Sequence, residues 1–89
     1  MDFEWDPIKA HTNQRKHGVS FTEAAEVFGD DHSSCAQDPD HSQGEERFLL
    51  FGTTTGGSHL VVAFTETPQA IRIISARHMT RQERKAYEQ

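Results

Sequence analysis

Between Arg47 and Arg77 the chain sets down three β-forming segments so close together that no helix fits between them. Arg47 to Thr53 is the first, Leu60 to Thr65 the second and Ala70 to Arg77 the third. Gly56-Gly57 supplies a hairpin turn between the first two, and a turn around Pro68 links the last two. Parallel neighbours need a crossover of a dozen residues or more, so these segments are expected to form an antiparallel meander. Ser33-Ser34-Cys35-Ala36 is a further short edge-strand candidate, followed by a polar stretch with Pro39 and Gly44 as turn markers.

What remains is helical or terminal. Phe3-Glu4-Trp5 alternates and reads as a short opening strand. Asp6-Pro7 is a helix start, a capping residue followed by proline at the first helical position. That helix is expected to run to about His17 and stop at Gly18. Its interior is so polar that it should touch the core through little more than Ile8 and Ala10. Ser20-Phe21-Thr22-Glu23 is a capping box, with Val19 and Ala24 as a hydrophobic staple. Phe21, Ala24, Ala25 and Phe28 then form one apolar stripe. Thr80-Arg81-Gln82-Glu83 is a second capping box and opens a closing helix through Tyr87, short enough to depend on tertiary contacts. Strand, two helices, four strands and a last helix, with no βαβ alternation, predict an α+β fold. Two N-terminal helices and a short C-terminal helix would pack beside an antiparallel sheet, in a single domain over residues 1–89. A chain of this length buries only roughly 60% of its unfolded surface, so its stability margin is thin.

The apolar fraction is 34%, but it is bunched, with Phe21, Phe28, Phe48, Phe51 and Phe64 as core candidates. The single cysteine, Cys35, excludes an internal disulfide and a CxxC metal or redox motif. No stretch has the layout of a signal peptide or approaches the about 18 apolar residues of a membrane span, so a cytoplasmic protein is expected. His11, His32, His41, His59 and His78 lack metal-ligand spacing, and no metal or cofactor is expected. A net charge of −5 argues against a generic nucleic-acid coat, yet acids crowd the first half and arginines the second. No helix carries a basic face suited to reading DNA.

The third segment poses a geometric conflict. Alternation puts Arg72 on one face with Ile74 and Ala76, and Arg77 on the other with Ile71, Ile73 and Ser75. One arginine must leave the core face, or the strand must bulge or end near Ser75-Ala76. Two readings stand side by side: edge arginines pairing with Glu66 or Glu83, or an anion site built from Arg47, Arg72 and Arg77. Lys16 and His17, about 100° apart on their helix, can flank one concavity. His17 either meets the helix C-terminal dipole or transfers protons. The role of Trp5 is open, and Tyr87 either packs or stacks on a base.

Several blocks in order resemble a known family. Phe3-Glu4-Trp5-Asp6-Pro7, Lys9-Ala10, Asn13 and Lys16-His17-Gly18-Val19-Ser20-Phe21 with Glu23-Ala24 are similar to the opening of BrnT proteins. Asp40-His41-Ser42, Glu46-Arg47, Leu60-Val61-Val62, Ile71 to Arg77, Glu83-Arg84 and Tyr87 continue the likeness across nearly the whole chain. The resemblance implies a RelE-like fold, metal-independent RNA cleavage that inhibits translation, and neutralisation by BrnA. BrnA is a DNA-binding antitoxin that forms a complex of paired toxin and antitoxin copies, so DNA would be met only through the partner. Carried over, it implies a catalytic set of Lys16, His17, Arg47, Arg72 and Arg77, with Arg81, Arg84 and Tyr87 contacting RNA beside Glu83. Phe64-Thr65-Glu66-Thr67-Pro68 departs from the family in lacking basic residues in the second hairpin. Attack by the RNA 2′-hydroxyl is the implied chemistry, with His17 as acid or base. Two rivals are a docking module whose arginines grip acidic partner side chains, and a metal-dependent hydrolase built on the His and Asp-rich loop.

Overall fold

The meander is present in a computed structural model of the chain, which describes residues 1–38 and 45–88. The elements are β1 (Phe3–Glu4), α1 (Pro7–His17), α2 (Phe21–Glu26), β2 (Ser34–Gln37), β3 (Phe48–Thr53), β4 (His59–Glu66), β5 (Ile71–His78) and α3 (Arg81–Tyr87). Pro39, Gly44 and the Asp40-His41-Ser42 block lie outside the described residues. The five strands form one sheet in the order β1-β5-β4-β3-β2. Strands β2 to β5 pair antiparallel, whereas β1 lies parallel to β5, with Phe3 opposite Ile71 and Glu4 opposite Arg72. The sheet is therefore mixed at one edge rather than antiparallel throughout. A hairpin fixes strand direction; β1 and β5 are joined through the whole fold, so no turn constrains theirs.

Local signals account for the helices. Asp6 caps α1 by accepting from the Ile8 N–H at 2.8 Å. Gly18 ends it with φ of 71°, a left-handed conformation that favours glycine, and donates its N–H to Gln14. Both capping boxes form, Ser20 with Glu23 and Thr80 with Glu83. After Glu26 the helix tightens into a 3₁₀ turn, Val27–Gly29. Tightening changes which residues point inward. Val27, outside the expected stripe, is fully buried with Phe21 and Ala24.

Helices α1 and α2 cover one sheet face. The core there joins Val19, Phe21, Ala24 and Val27 to Leu50, Leu60, Val62, Phe64, Ile73 and Ala76. Phe28 bridges Phe3 and Phe64 edge-on, with ring centres 5.1 and 5.0 Å away. Phe51 departs from its expected place. It alternates with Leu50 and so faces away from this core, toward α3. Ile8 also departs, standing 76% exposed. The anchor of α1 is Asn13, buried and bonded to both backbone groups of Ala76.

The conflict in the third segment is resolved by a bulge. Ala63 opposes Ser75 while the next residue, Phe64, opposes Ile73, leaving Ile74 unpaired. Ile73 and Ala76 thus both enter the core although three residues apart. The same irregularity puts Arg72, opposite Thr65, and Arg77, opposite Val61, on the second face together.

Candidate functional site

Beyond Arg72, β5 has lost its neighbour β1, and α1 runs along the vacant edge. Asn13 donates its amide to the Ala76 and Val19 carbonyls at 2.9 and 3.1 Å and accepts the Ala76 N–H at 3.0 Å. An edge strand's backbone needs such partners when it is buried. One turn further on, Lys16 and His17 line an open cleft with Thr12, Ile74 and Ser75. His17 is half-buried and Lys16 exposed. Arg15, Lys16 and His17 end the helix, where positive charge offsets its dipole.

Arg77 turns the other way. Its guanidinium grips Glu83 with two parallel bonds of 2.7 and 3.0 Å and also donates to the His78 carbonyl. That fork, with help from the Thr80 N–H, holds the Glu83 carboxyl down at about 2. The far end of α3 is tied by Tyr87, whose hydroxyl donates to Asp30 and accepts from Thr53 Oγ1. Asp30 further accepts the N–H groups of His32 and Thr53. The Tyr87 bond foremost, then the His32 N–H, lowers the Asp30 carboxyl below its usual range. Burial first, then Asp30, raises the Tyr87 hydroxyl. The Tyr87 ring lies half-buried and edge-on to His59.

Asp30 was invisible as a contributor in the sequence, where it follows a helix in a polar stretch and resembles any loop aspartate. Its neighbour Gly52 offers a clue only in three dimensions. A Cβ on Gly52 would lie 2.7 Å from Val27 Cγ1 and 3.0 Å from Asp30 Oδ2.

Arg72 bonds Glu4 Oε2 through Nη2 at 2.8 Å and Nε at 3.2 Å. The pairing arises because the parallel register sets Glu4 beside Arg72; Glu66 is not its partner. Arg47 continues the line of β3 past Phe48 and pairs loosely with Glu45, 3.7 Å away. Arg81 and Arg84 stand exposed on α3, with Arg84 bonded to Glu88 at 2.9 Å. The expected site residues therefore fall into three places. Lys16 and His17 share a cleft. Arg47 and Arg72 sit near one end of the second face. Arg77, with α3, occupies the opposite end, roughly 15 Å along β5 from Arg72 at normal strand rise. Among the described residues, no cluster of three or more His, Cys, Asp or Glu is arranged to hold a metal ion, and no helix is long and apolar enough to cross a membrane.

Comparison with known proteins adds two matches. The family model described as the ribonuclease toxin BrnT of type II toxin-antitoxin systems matches residues 5–83. Among solved structures, the chain is similar to the crystal structure of the Brucella abortus ribonuclease toxin BrnT. The TM-score is 0.67 at 25% identity, covering 91% of this chain and 99% of that one. This likeness bears out the α+β expectation. No curated protein matches the chain.

Proposed function

The chain belongs to the BrnT family of ribonuclease toxins of type II toxin-antitoxin systems, and from that premise we propose that it cleaves RNA at the α1–β5 cleft without a metal ion. The observation that carries this reading is the placement of Lys16 and His17 together over the edge of β5, beside a strand that also bears Arg72 and Arg77. In the proposed reaction a base takes the 2′-hydroxyl proton and that oxygen bonds to the adjacent phosphorus. The bond to the 5′-oxygen breaks, an acid returns a proton to it, and a cyclic phosphate remains. Imidazole is suited to moving such a proton near neutral pH, and His17 is assigned to it. Lys16 contacts the phosphate. Arg72, which lines the adjoining cleft with Lys9 and Ile74, is assigned to balance the extra negative charge of the transition state, a well-placed donor contributing on the order of 3 kcal/mol. Arg47 beyond one end of the sheet face, and Arg77 with Arg81, Arg84 and Tyr87 at the other, are assigned to RNA flanking the scissile phosphate.

A toxin-antitoxin family implies an antitoxin partner. Our reading makes it a DNA-binding protein of the BrnA type, in a complex of paired copies, with DNA met only through that partner. Inhibition of translation in the cytoplasm is the expected consequence of RNA cleavage by the free chain.

One observation favours the docking alternative. Arg47, Arg72 and Arg77 are each already paired with a carboxylate, which is how acidic side chains of a partner would engage them. Cleavage of labelled RNA in excess EDTA separates the readings. The folded wild type should cleave, and His17→Ala should slow it by about a hundredfold or more. Loss of cleavage on chelation would favour the metal-dependent hydrolase. Wild-type rates in both His17→Ala and Arg77→Ala would remove the site from where we place it. Failure of folded wild type to cleave, together with loss of antitoxin binding in Arg72→Ala, would favour the docking module.

A further inference from the structure

A second cleft opens on the same seam, between β1, the start of α1 and β5. Trp5, Lys9 and Arg72 line it, together with Ile74. Lys9 and Ile74 also line the cleft that holds Lys16 and His17, so the two adjoin and together make a trough along α1 and β5. Lys9 and Lys16 are seven residues apart, two helical turns, and therefore lie on one face of α1 about 10.5 Å from each other. Both are exposed, and neither forms an ion pair among the described residues. The acids in the trough are already engaged: Glu4 with Arg72, and Asp6 with the first turn of α1. Trp5 is held edge-to-face against buried Phe21, with ring centres 5.9 Å apart, and is half-buried.

We propose that this trough is the substrate track of the ribonuclease: a base next to the scissile position stacks on Trp5, and the adjoining phosphates lie against Lys9 and Lys16. An indole held from behind by a core phenylalanine is a rigid platform. Single-stranded RNA is bound in this way, by aromatic stacking combined with a line of cations, and stacking tolerates any base. The lysine spacing spans a dinucleotide, which carries the chain from the platform to His17. Neither Trp5 nor Lys9 touches the reacting atoms, so both contribute to binding alone.

The inference rests on the ribonuclease reading, and its test separates the two. The chain has one tryptophan, so its emission reports on Trp5 alone. The probe is a mixed-sequence 2′-O-methyl oligoribonucleotide, which has no hydroxyl to attack with. Titration should quench the emission saturably, and Lys9→Gln should raise the half-saturating concentration about tenfold, within the range of a lost base or phosphate contact. In cleavage of unmodified RNA, Lys9→Gln and Trp5→Leu should raise KM about tenfold with kcat kept, the signature of uniform binding. Should Trp5→Leu fail to fold, Trp5→Phe keeps the packing on Phe21 and should raise KM by a smaller factor. Cleavage with unchanged emission, or with unchanged KM in Lys9→Gln, overturns the track and leaves the ribonuclease standing. Saturable quenching without any cleavage supports the track and removes the catalytic reading. Emission indifferent to RNA but altered by added antitoxin makes the trough the partner's seat and overturns the proposal.

Discussion

Gly52 is the residue where backbone economy decides most. It lies on β3 beneath the 3₁₀ turn, and a methyl group there would overlap Val27, which is fully buried and cannot withdraw. It would also press on Asp30, the acceptor for Tyr87 and for two backbone N–H groups. Gly52→Ala should therefore destabilise the fold by about 1–3 kcal/mol, the usual range for overpacking. In a domain of this size that lowers the melting temperature by roughly 4–8 °C per kcal/mol. A melting curve coincident with the wild type would show that Val27 and Asp30 give way freely. Residues acting through distant partners were the ones hidden in the sequence. Asn13 reads as one more polar residue on a solvated helix, yet it closes the edge of β5. Glu4 reads as an exposed acid, yet it holds Arg72 across a pairing that joins the two ends of the chain.

At the scale of elements, what could be read was what is local. Both capping boxes, the proline start and glycine stop of α1, and the hairpins are written within a few residues each. The bulge was legible only as a contradiction between Arg72 and Arg77; its position at Ile74 depends on how β4 packs. Helix α3 shows the limit most clearly. None of its residues is buried, and polar ties hold it at its two ends, Arg77 with Glu83 and Asp30 with Tyr87. Because the Glu83 carboxyl lies at about 2 in the folded chain against an ordinary 4.5, its contribution is complete above about 4.5 and is lost as pH falls toward about 2. Asp30, also lowered, acts in the same direction. Glu83→Gln isolates the charge, since glutamine at this position keeps the capping box. The variant should be less stable by about 1 kcal/mol at pH 6, typical of a partly exposed pair. The gap between the two urea midpoints should narrow as pH is lowered to 3. A gap of constant size would assign the loss to helix capping rather than to the ion pair.

For the whole molecule, a net charge of −5 and the proposed RNA substrate look opposed, and the placement of the charges bears on both. Several acids of the first half are engaged within the fold. Asp6 and Glu23 cap helices, Glu26 holds the Thr55 turn, Asp30 anchors Tyr87 and Glu4 neutralises Arg72. Along the α1–β5 seam Lys9 and Lys16 have no ion-pair partner among the described residues, and Arg72 is paired with Glu4. A substrate held there neutralises few charges, in contrast to a protein that coats nucleic acid. With about three phosphates contacted, and a single-strand coefficient of about 0.7 each, the affinity for RNA should fall with salt at a log–log slope of about −2. Lys9→Gln should bring that slope to about −1.4. KM measured across a series of sodium chloride concentrations gives both values. A slope steeper than this would measure how many further phosphates Arg47, Arg77 and the arginines of α3 neutralise. A flat one would mean that the backbone of the RNA is not bound by these cations at all.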